Sequence, residues 1–342
     1  MSVVTLGRRL PALAIFAGLA ACSGQTAGAG GFTPPSAPAT AQVLGRIPAQ
    51  NTPDATPDGP SPRIFTANRD GGQLLGFQMS ASGNVSPVAN VSGSKTKLTD
   101  PDALTRDKLG NLYVANDGGT KIEVFSKDAN GNVAPSRSIG GPNSQLGPTE
   151  GLFIDPYGGL WVSDYLNNAI TAYPSHSKGN VMPGNIIQGN KTQLSTPTGI
   201  AMSAGLQLYV ANTHGASITI YASNASGNVA PVATIAGSLT GLSRPFALAF
   251  DKNGRLLVAD ESAGILVFAS GATGNVAPVA QITSVNYAAG VMADKKNHIW
   301  AAEFGGNAID EFASNANGNA TPLKRITGSN TLLSGANYLV KD

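Results

Sequence analysis

The sequence predicts an all-β protein, a six-bladed β-propeller of four-stranded antiparallel blades closed by a C-terminal strand that completes the first blade. Three observations carry this. A Gly-Asn pair recurs at Gly83-Asn84, Gly131-Asn132, Gly179-Asn180, Gly227-Asn228, Gly274-Asn275 and Gly318-Asn319, at spacings of 48, 48, 48, 47 and 44 residues, a period typical of repeat architectures. Each unit holds four short apolar runs separated by turn residues. The ends are complementary: the first unit lacks its opening run, while the chain finishes on a segment, 333–342, that matches 194–203 in length. A split blade works only if the first and last units meet, whereas an open solenoid needs capping units.

The first run of each unit is half-buried and ends in a polar turn, at 104–107, 152–155, 200–203, 248–251 and 291–294. The second, 112–116 and its counterparts at 160–164, 208–212, 256–260 and 299–303, is rich in β-branched and aromatic residues that favour strands. The third places anchors three apart: Leu74 and Phe77, Ile122 and Phe125, Ile170 and Tyr173, Ile218 and Tyr221, Ile265 and Phe268, Ile309 and Phe312. This is not strict alternation, but the runs are too short for helices and lie between turns. The fourth opens with Pro87, Pro135, Pro183, Pro231, Pro278 or Pro322; proline lacks an N–H and suits the start of an edge strand. Asn68, Asn116, Asp164, Asn212, Asp260 and Glu303, which end the second run, read as residues that bond nearby backbone in turns.

Before the propeller, Arg8 and Arg9 precede the apolar run 10–19, long enough for a signal-peptide core and too short to span a bilayer. It ends in Leu19-Ala20-Ala21-Cys22, which resembles the lipobox of bacterial lipoproteins. That resemblance implies cleavage before Cys22, acylation of its thiol and anchorage to a membrane, with Ser23 favouring the outer membrane of a two-membrane cell envelope. Residues 23–62 are Gly, Ala, Ser, Thr and Pro with few large apolar side chains, a composition that cannot offset the entropy of ordering. They read as a stalk with a reach of about 35 Å. The expected organisation is therefore signal peptide 1–21, lipidated Cys and stalk 22–62, and propeller 63–342.

Only 12% of residues are charged, against 42 glycines and 22 prolines, and the net charge of +2 comes without a basic run. Nucleic acid, whose phosphates call for clustered Lys and Arg, is not an expected partner. A single cysteine permits no internal disulfide, so buried apolar surface must hold the domain together, expected here as a monomer.

Asp107-x-x-Gly110, Leu112-Tyr113-Val114-Ala115-Asn116 and Ile122-x-x-Phe125, repeated with variation through 63–342, resemble NHL-repeat propellers. Gluconolactonase-like propellers and the virginiamycin B lyase type share this grammar. The resemblance implies the fold. It leaves function open among protein binders, RNA binders and metal-dependent enzymes.

In such a propeller the first strand descends the central channel, which puts Asp102, Glu150, Thr198, Phe246, Ala289 and Asn337 at its mouth. The plainer reading is a hydrated polar rim. The sharper one is a Ca²⁺ site on Asp102, Glu150 and Asn337, from three adjacent blades, completed by waters. Loops after the second strands should bring Arg69, Asp117, Tyr165, His214, Glu261 and Phe304 to the same face, where Arg69, Tyr165 and His214 are candidate ligand contacts. Metal-dependent lyases of the resembling families use converging histidines; here His176, His214 and His298 fall at unequal blade positions. No Gly-x-Ser-x-Gly elbow is present. The leading expectation is a non-enzymatic module that binds a protein or glycan through its upper face, the alternative a Ca²⁺-dependent hydrolase or lyase.

Overall fold

A computed structural model describes residues 62–117 and 119–342; the expected signal peptide 1–21, Cys22 and the expected stalk as far as Ser61 lie outside them. Blade 1 comprises β1 (Arg63–Asn68), β2 (Gln73–Gln78) and β3 (Ala89–Val91). Blade 2 is β4 (Pro101–Arg106), β5 (Leu112–Asn116), β6 (Lys121–Phe125) and β7 (Arg137–Gly140). Blade 3 is β8 (Thr149–Ile154), β9 (Leu160–Asp164), β10 (Ala169–Tyr173) and β11 (Asn185–Gln188). Blade 4 is β12 (Pro197–Met202), β13 (Leu208–Asn212), β14 (Ser217–Tyr221) and β15 (Ala233–Ala236). Blade 5 is β16 (Pro245–Phe250), β17 (Leu256–Asp260), β18 (Gly264–Phe268) and β19 (Ala280–Ile282). Blade 6 is β20 (Ala288–Ala293), β21 (Ile299–Glu303), β22 (Ala308–Phe312) and β23 (Lys324–Thr327). The last strand, β24 (Ala336–Lys341), joins blade 1 as its innermost member, in the order β24-β1-β2-β3.

Closure is thus by the C-terminal strand. β24 pairs with β1 from Ile64↔Lys341 to Asn68↔Ala336 and packs between the inner strands β20 and β4. At the seam the Arg63 Nε meets Asp342 Oδ2 at 2.7 Å. Blades are covered on both faces by their neighbours, which explains the three-residue anchor spacing. Residues i and i+3 of a strand point to opposite faces, and both faces are buried; Phe77, Phe125, Tyr173, Tyr221, Phe268 and Phe312 are all core.

The Gly-Asn pair does more than turn the chain. Each glycine has a positive φ, from 64° to 80°, and its N–H donates to the outer strand of the preceding blade. Gly83 bonds Arg325 O (2.7 Å), Gly131 Asn90 O (2.7 Å), Gly179 Ser138 O (2.7 Å), Gly227 Ile186 O (2.5 Å), Gly274 Thr234 O (2.6 Å) and Gly318 Gln281 O (2.7 Å). The asparagine then accepts from the loop beyond that strand: Asn84 from Asn330 N, Asn132 from Lys95 N, Asn180 from Asn143 N, Asn228 from Lys191 N and Asn275 from Leu239 N, at 2.7–2.8 Å. The 44-residue spacing reflects a shorter loop between Ile282 and Ala288, and no such bond to Asn319 is formed there among the described residues.

Two boundaries differ from the sequence reading. The inner strands begin three residues earlier than expected, at Pro101, Thr149, Pro197, Pro245 and Ala288, because each carries a register shift near its start that breaks the alternation. The outer strands begin two residues after the prolines, and the residue in between supplies the bond that proline cannot, as in Val88 N to Gly76 O at 2.8 Å. Two short 3₁₀ turns, Pro142–Ser144 and Ser329–Thr331, were not legible in the sequence pattern.

Candidate functional site at the upper end of the channel

The bulges near the tops of the inner strands set the site, since an extra residue leaves the ladder and re-aims its side chain. In blades 2 and 3 the unpaired residues are Asp102 and Glu150. In blade 1 the shift comes one residue later: Asn337 pairs with Ala67, and Tyr338 is left out of the ladder at φ 40°. The equivalents of Tyr338 are Ala103, Gly151, Gly199, Ala247 and Gly290, and the three glycines sit against neighbouring backbone. A Cβ on Gly151 would lie 1.9 Å from Thr198 O, and one on Gly199 2.3 Å from Phe246 O. A tyrosine does not fit there, so it turns into the channel.

Tyr338 crosses that channel. Its hydroxyl donates to Glu150 O at 2.6 Å, and its ring meets Phe246 with centroids 5.6 Å apart. On the far side Thr198 Oγ1 lies 3.0 Å from both Thr213 Oγ1 and Phe246 O. Asp102, Glu150, Thr198, Phe246, Ala289 and Asn337 are all buried, which differs from the expectation of a hydrated rim: the tyrosine and its neighbours cover these side chains.

Above the plug stands a charged group. Carboxylate oxygens of Asp102, Asp117 and Glu150 lie within 4.8 Å of one another. Arg69 pairs with Asp117, and the Tyr165 hydroxyl donates to Asp117 Oδ1 at 3.4 Å. Burial, with Glu150 close by, pushes the Asp102 carboxyl well above the usual carboxylate range, against the pull of Arg69. Burial and then Asp117 raise the Tyr165 hydroxyl to about 12. Burial pulls the Arg69 guanidinium down, but Asp102, Asp117 and Glu150 outweigh it and hold the group above its usual value. Three carboxyls face one guanidinium, and a proton on Asp102 relieves the excess of like charge.

The expected ligand set is altered in one member. Asn337 donates its amide to Asp102 Oδ1, while its oxygen accepts Tyr338 N–H at 3.1 Å. That oxygen is engaged, and Asp117 stands as the third carboxylate. Of the loop residues expected at this face, Arg69, Asp117 and Tyr165 come together. His214 is exposed beside Thr196 (Nδ1 to Oγ1 3.1 Å), Glu261 pairs with Arg244, and Phe304 packs on Tyr287. His298 contacts Glu311 on another part of the molecule, and no cluster of metal-ligating groups among the described residues contains two histidines. Tyr338 was missed, although a large side chain where the other units carry Gly or Ala was a visible signal.

No protein-family model matches the sequence, and no curated protein matches it. Solved structures do resemble it. A protein of unknown function from Bacteroides caccae is 12% identical with a TM-score of 0.58, covering 82% of this chain and 99% of that one. A streptogramin B lyase is 14% identical with a TM-score of 0.53, over 78% and 80% of the two chains. A chain of a nidogen/laminin complex is 12% identical with a TM-score of 0.55, over 82% and 98%. At such identities the likeness carries the fold alone: the described chain is a six-bladed β-propeller of the shape these proteins share.

Proposed function

We propose that the protein is a non-enzymatic binding module, tethered to the bacterial cell envelope through lipidated Cys22, that recognises a protein or glycan with the upper face of its propeller. The observation that supports this most is the plug at the upper end of the channel. Tyr338, held by Glu150 and Phe246, closes the channel at the face where Asp102, Asp117 and Glu150 meet, so a substrate there would not be enclosed. What remains accessible is a shallow platform of Arg69, Asp117 and Tyr165, with side chains of Arg69 and Asp117 still 22% and 24% exposed. A guanidinium, a carboxylate and a phenol on one surface suit hydrogen bonding to hydroxyls or to a peptide backbone. A photo-crosslinker on the Leu166 side chain, 64% exposed beside this platform, tests the reading in envelope fractions and on glycan arrays. A discrete adduct or glycan signal that disappears in Arg69→Ala is expected. Identical labelling by wild type and variant would refute it.

A Ca²⁺-dependent hydrolase or lyase is the second reading, favoured by one observation: Asp102 Oδ2 is buried without a hydrogen-bond partner among the described residues, within a three-carboxylate cluster. The cluster fits a Ca²⁺ shell poorly, because six to eight oxygens are needed, Asn337 Oδ1 is engaged and Arg69 already pairs with Asp117. A calcium titration followed by thermal melting separates the readings. The binding-module reading expects no Ca²⁺-dependent rise in Tm and the same response in Glu150→Gln.

A further inference from the structure

A second site lies on the face opposite the channel mouth, at the seam between blades 6 and 1. A cavity of about 330 Å³ is walled by Trp300 and Met79 and bordered by Lys295, Lys296, Lys324 and Lys341 together with the carboxylates of Asp294, Glu311 and Asp342, a volume within the range of small-molecule sites. Trp300 is 1% exposed and its indole N–H has no acceptor among the described residues. Its counterparts in blades 3 and 2 are satisfied: Trp161 N–H donates to Asp155 Oδ2 at 3.0 Å, and Tyr113 O–H to Asp107 Oδ2 at 3.3 Å. In blade 6 the corresponding Asp294 accepts Lys296 N and His298 N on Oδ1, while its Oδ2 lies 3.6 Å from His298 Nδ1. A buried donor without an acceptor costs about 1–3 kcal/mol, so the blade keeps a defect that those two blades lack.

The cations are unevenly matched. Lys324 is engaged, ion-paired with Glu311 Oε2 at 2.6 Å and donating to Met79 O at 3.0 Å, with its ammonium 5.4 Å from the Trp300 ring centre. Lys341 is half-buried and, among the described residues, donates only to the Ala293 carbonyl, at 3.2 Å. Burial depresses its pKa, and Lys295 and Lys252 add to the effect against Asp294. Lys296 is exposed at the rim. Of the carboxylates at the cavity, Glu311 is taken by Lys324 and Asp342 by Arg63, which leaves an added anion a place beside Lys341 and Lys296, and the apolar wall favours a flat apolar body behind it.

We propose that this cavity binds a small aromatic carboxylate, its ring against Trp300 and Met79 and its carboxylate between Lys341 and Lys296. The proposal stands apart from the upper-face reading and uses none of its residues. Trp161 and Trp300 are the only tryptophans, so a full chain carrying Trp161→Phe reports Trp300 fluorescence alone. Benzoate is expected to quench it saturably, benzamide to bind at least about tenfold more weakly, and Lys341→Met to weaken benzoate by about tenfold, with Lys341→Arg retaining most of the affinity. Calorimetric titration of the unsubstituted chain should give the same ranking of the two probes. Equal responses to benzoate and benzamide, absence of saturation, or unaltered benzoate affinity in a folded Lys341→Met would overturn the proposal.

Discussion

Tyr338 is the side chain on which the channel depends. Tyr338→Phe removes one buried bond to Glu150 O and should cost about 1 kcal/mol in urea unfolding, whereas Tyr338→Ala empties the plug and should cost about 3–5 kcal/mol. Similar values for the two would mean that the ring does not pack as described. A second residue makes a pH prediction. Asp310 lies beside Glu303 and pairs with Arg325 at 2.7 Å; burial and then Glu303 push its pKa from 3.8 to about 7, against the pull of Arg325. The folded state therefore keeps a proton that the unfolded state has released, so stability from this group is greatest below about pH 4 and falls as the pH rises to about 7. Asp310→Asn should melt higher than wild type at pH 8, with that advantage shrinking toward pH 4. An advantage that grows toward pH 4 would reverse the sign assigned here.

The blade elements separate two jobs for glycine. At Gly131 the φ is 72° and an added Cβ would meet nothing within 4 Å, so Gly131→Ala should cost only the backbone strain, about 1–2 kcal/mol. At Gly151 the conformation is ordinary but an added Cβ would be 1.9 Å from Thr198 O; Gly151→Ala should cost more than about 4 kcal/mol or abolish folding, measured by the same denaturation. The sequence made the first kind visible, because the Gly-Asn pair repeats six times. It concealed the second kind, because close approach of two inner strands is a contact between distant parts of the chain. The anchors Ile122 and Phe125 were legible for the opposite reason: blades buried on both faces need only large apolar residues, whichever way they point.

At the scale of the molecule, closure rests on β24 and on the clasp from Gly83 to Arg325. Deleting 333–342 exposes the inner edge of β1 and should abolish the cooperative thermal transition, followed by circular dichroism and calorimetry. A truncate melting at the full-length Tm would show that the ring holds without its seam. The sequence alone determined the number of blades, the order of strands and the place of closure, because those follow from periodicity and turn chemistry, which are local and repeated. Only the tertiary structure decided what fills the channel and which carboxylates meet. Those depend on a one-residue displacement of a bulge in β24 and on contacts between loops of adjacent blades. Asp117 joined Asp102 and Glu150, Asn337 turned its oxygen to Tyr338, and His214 stayed apart, since side-chain direction near a bulge is set by what the neighbouring strand leaves room for.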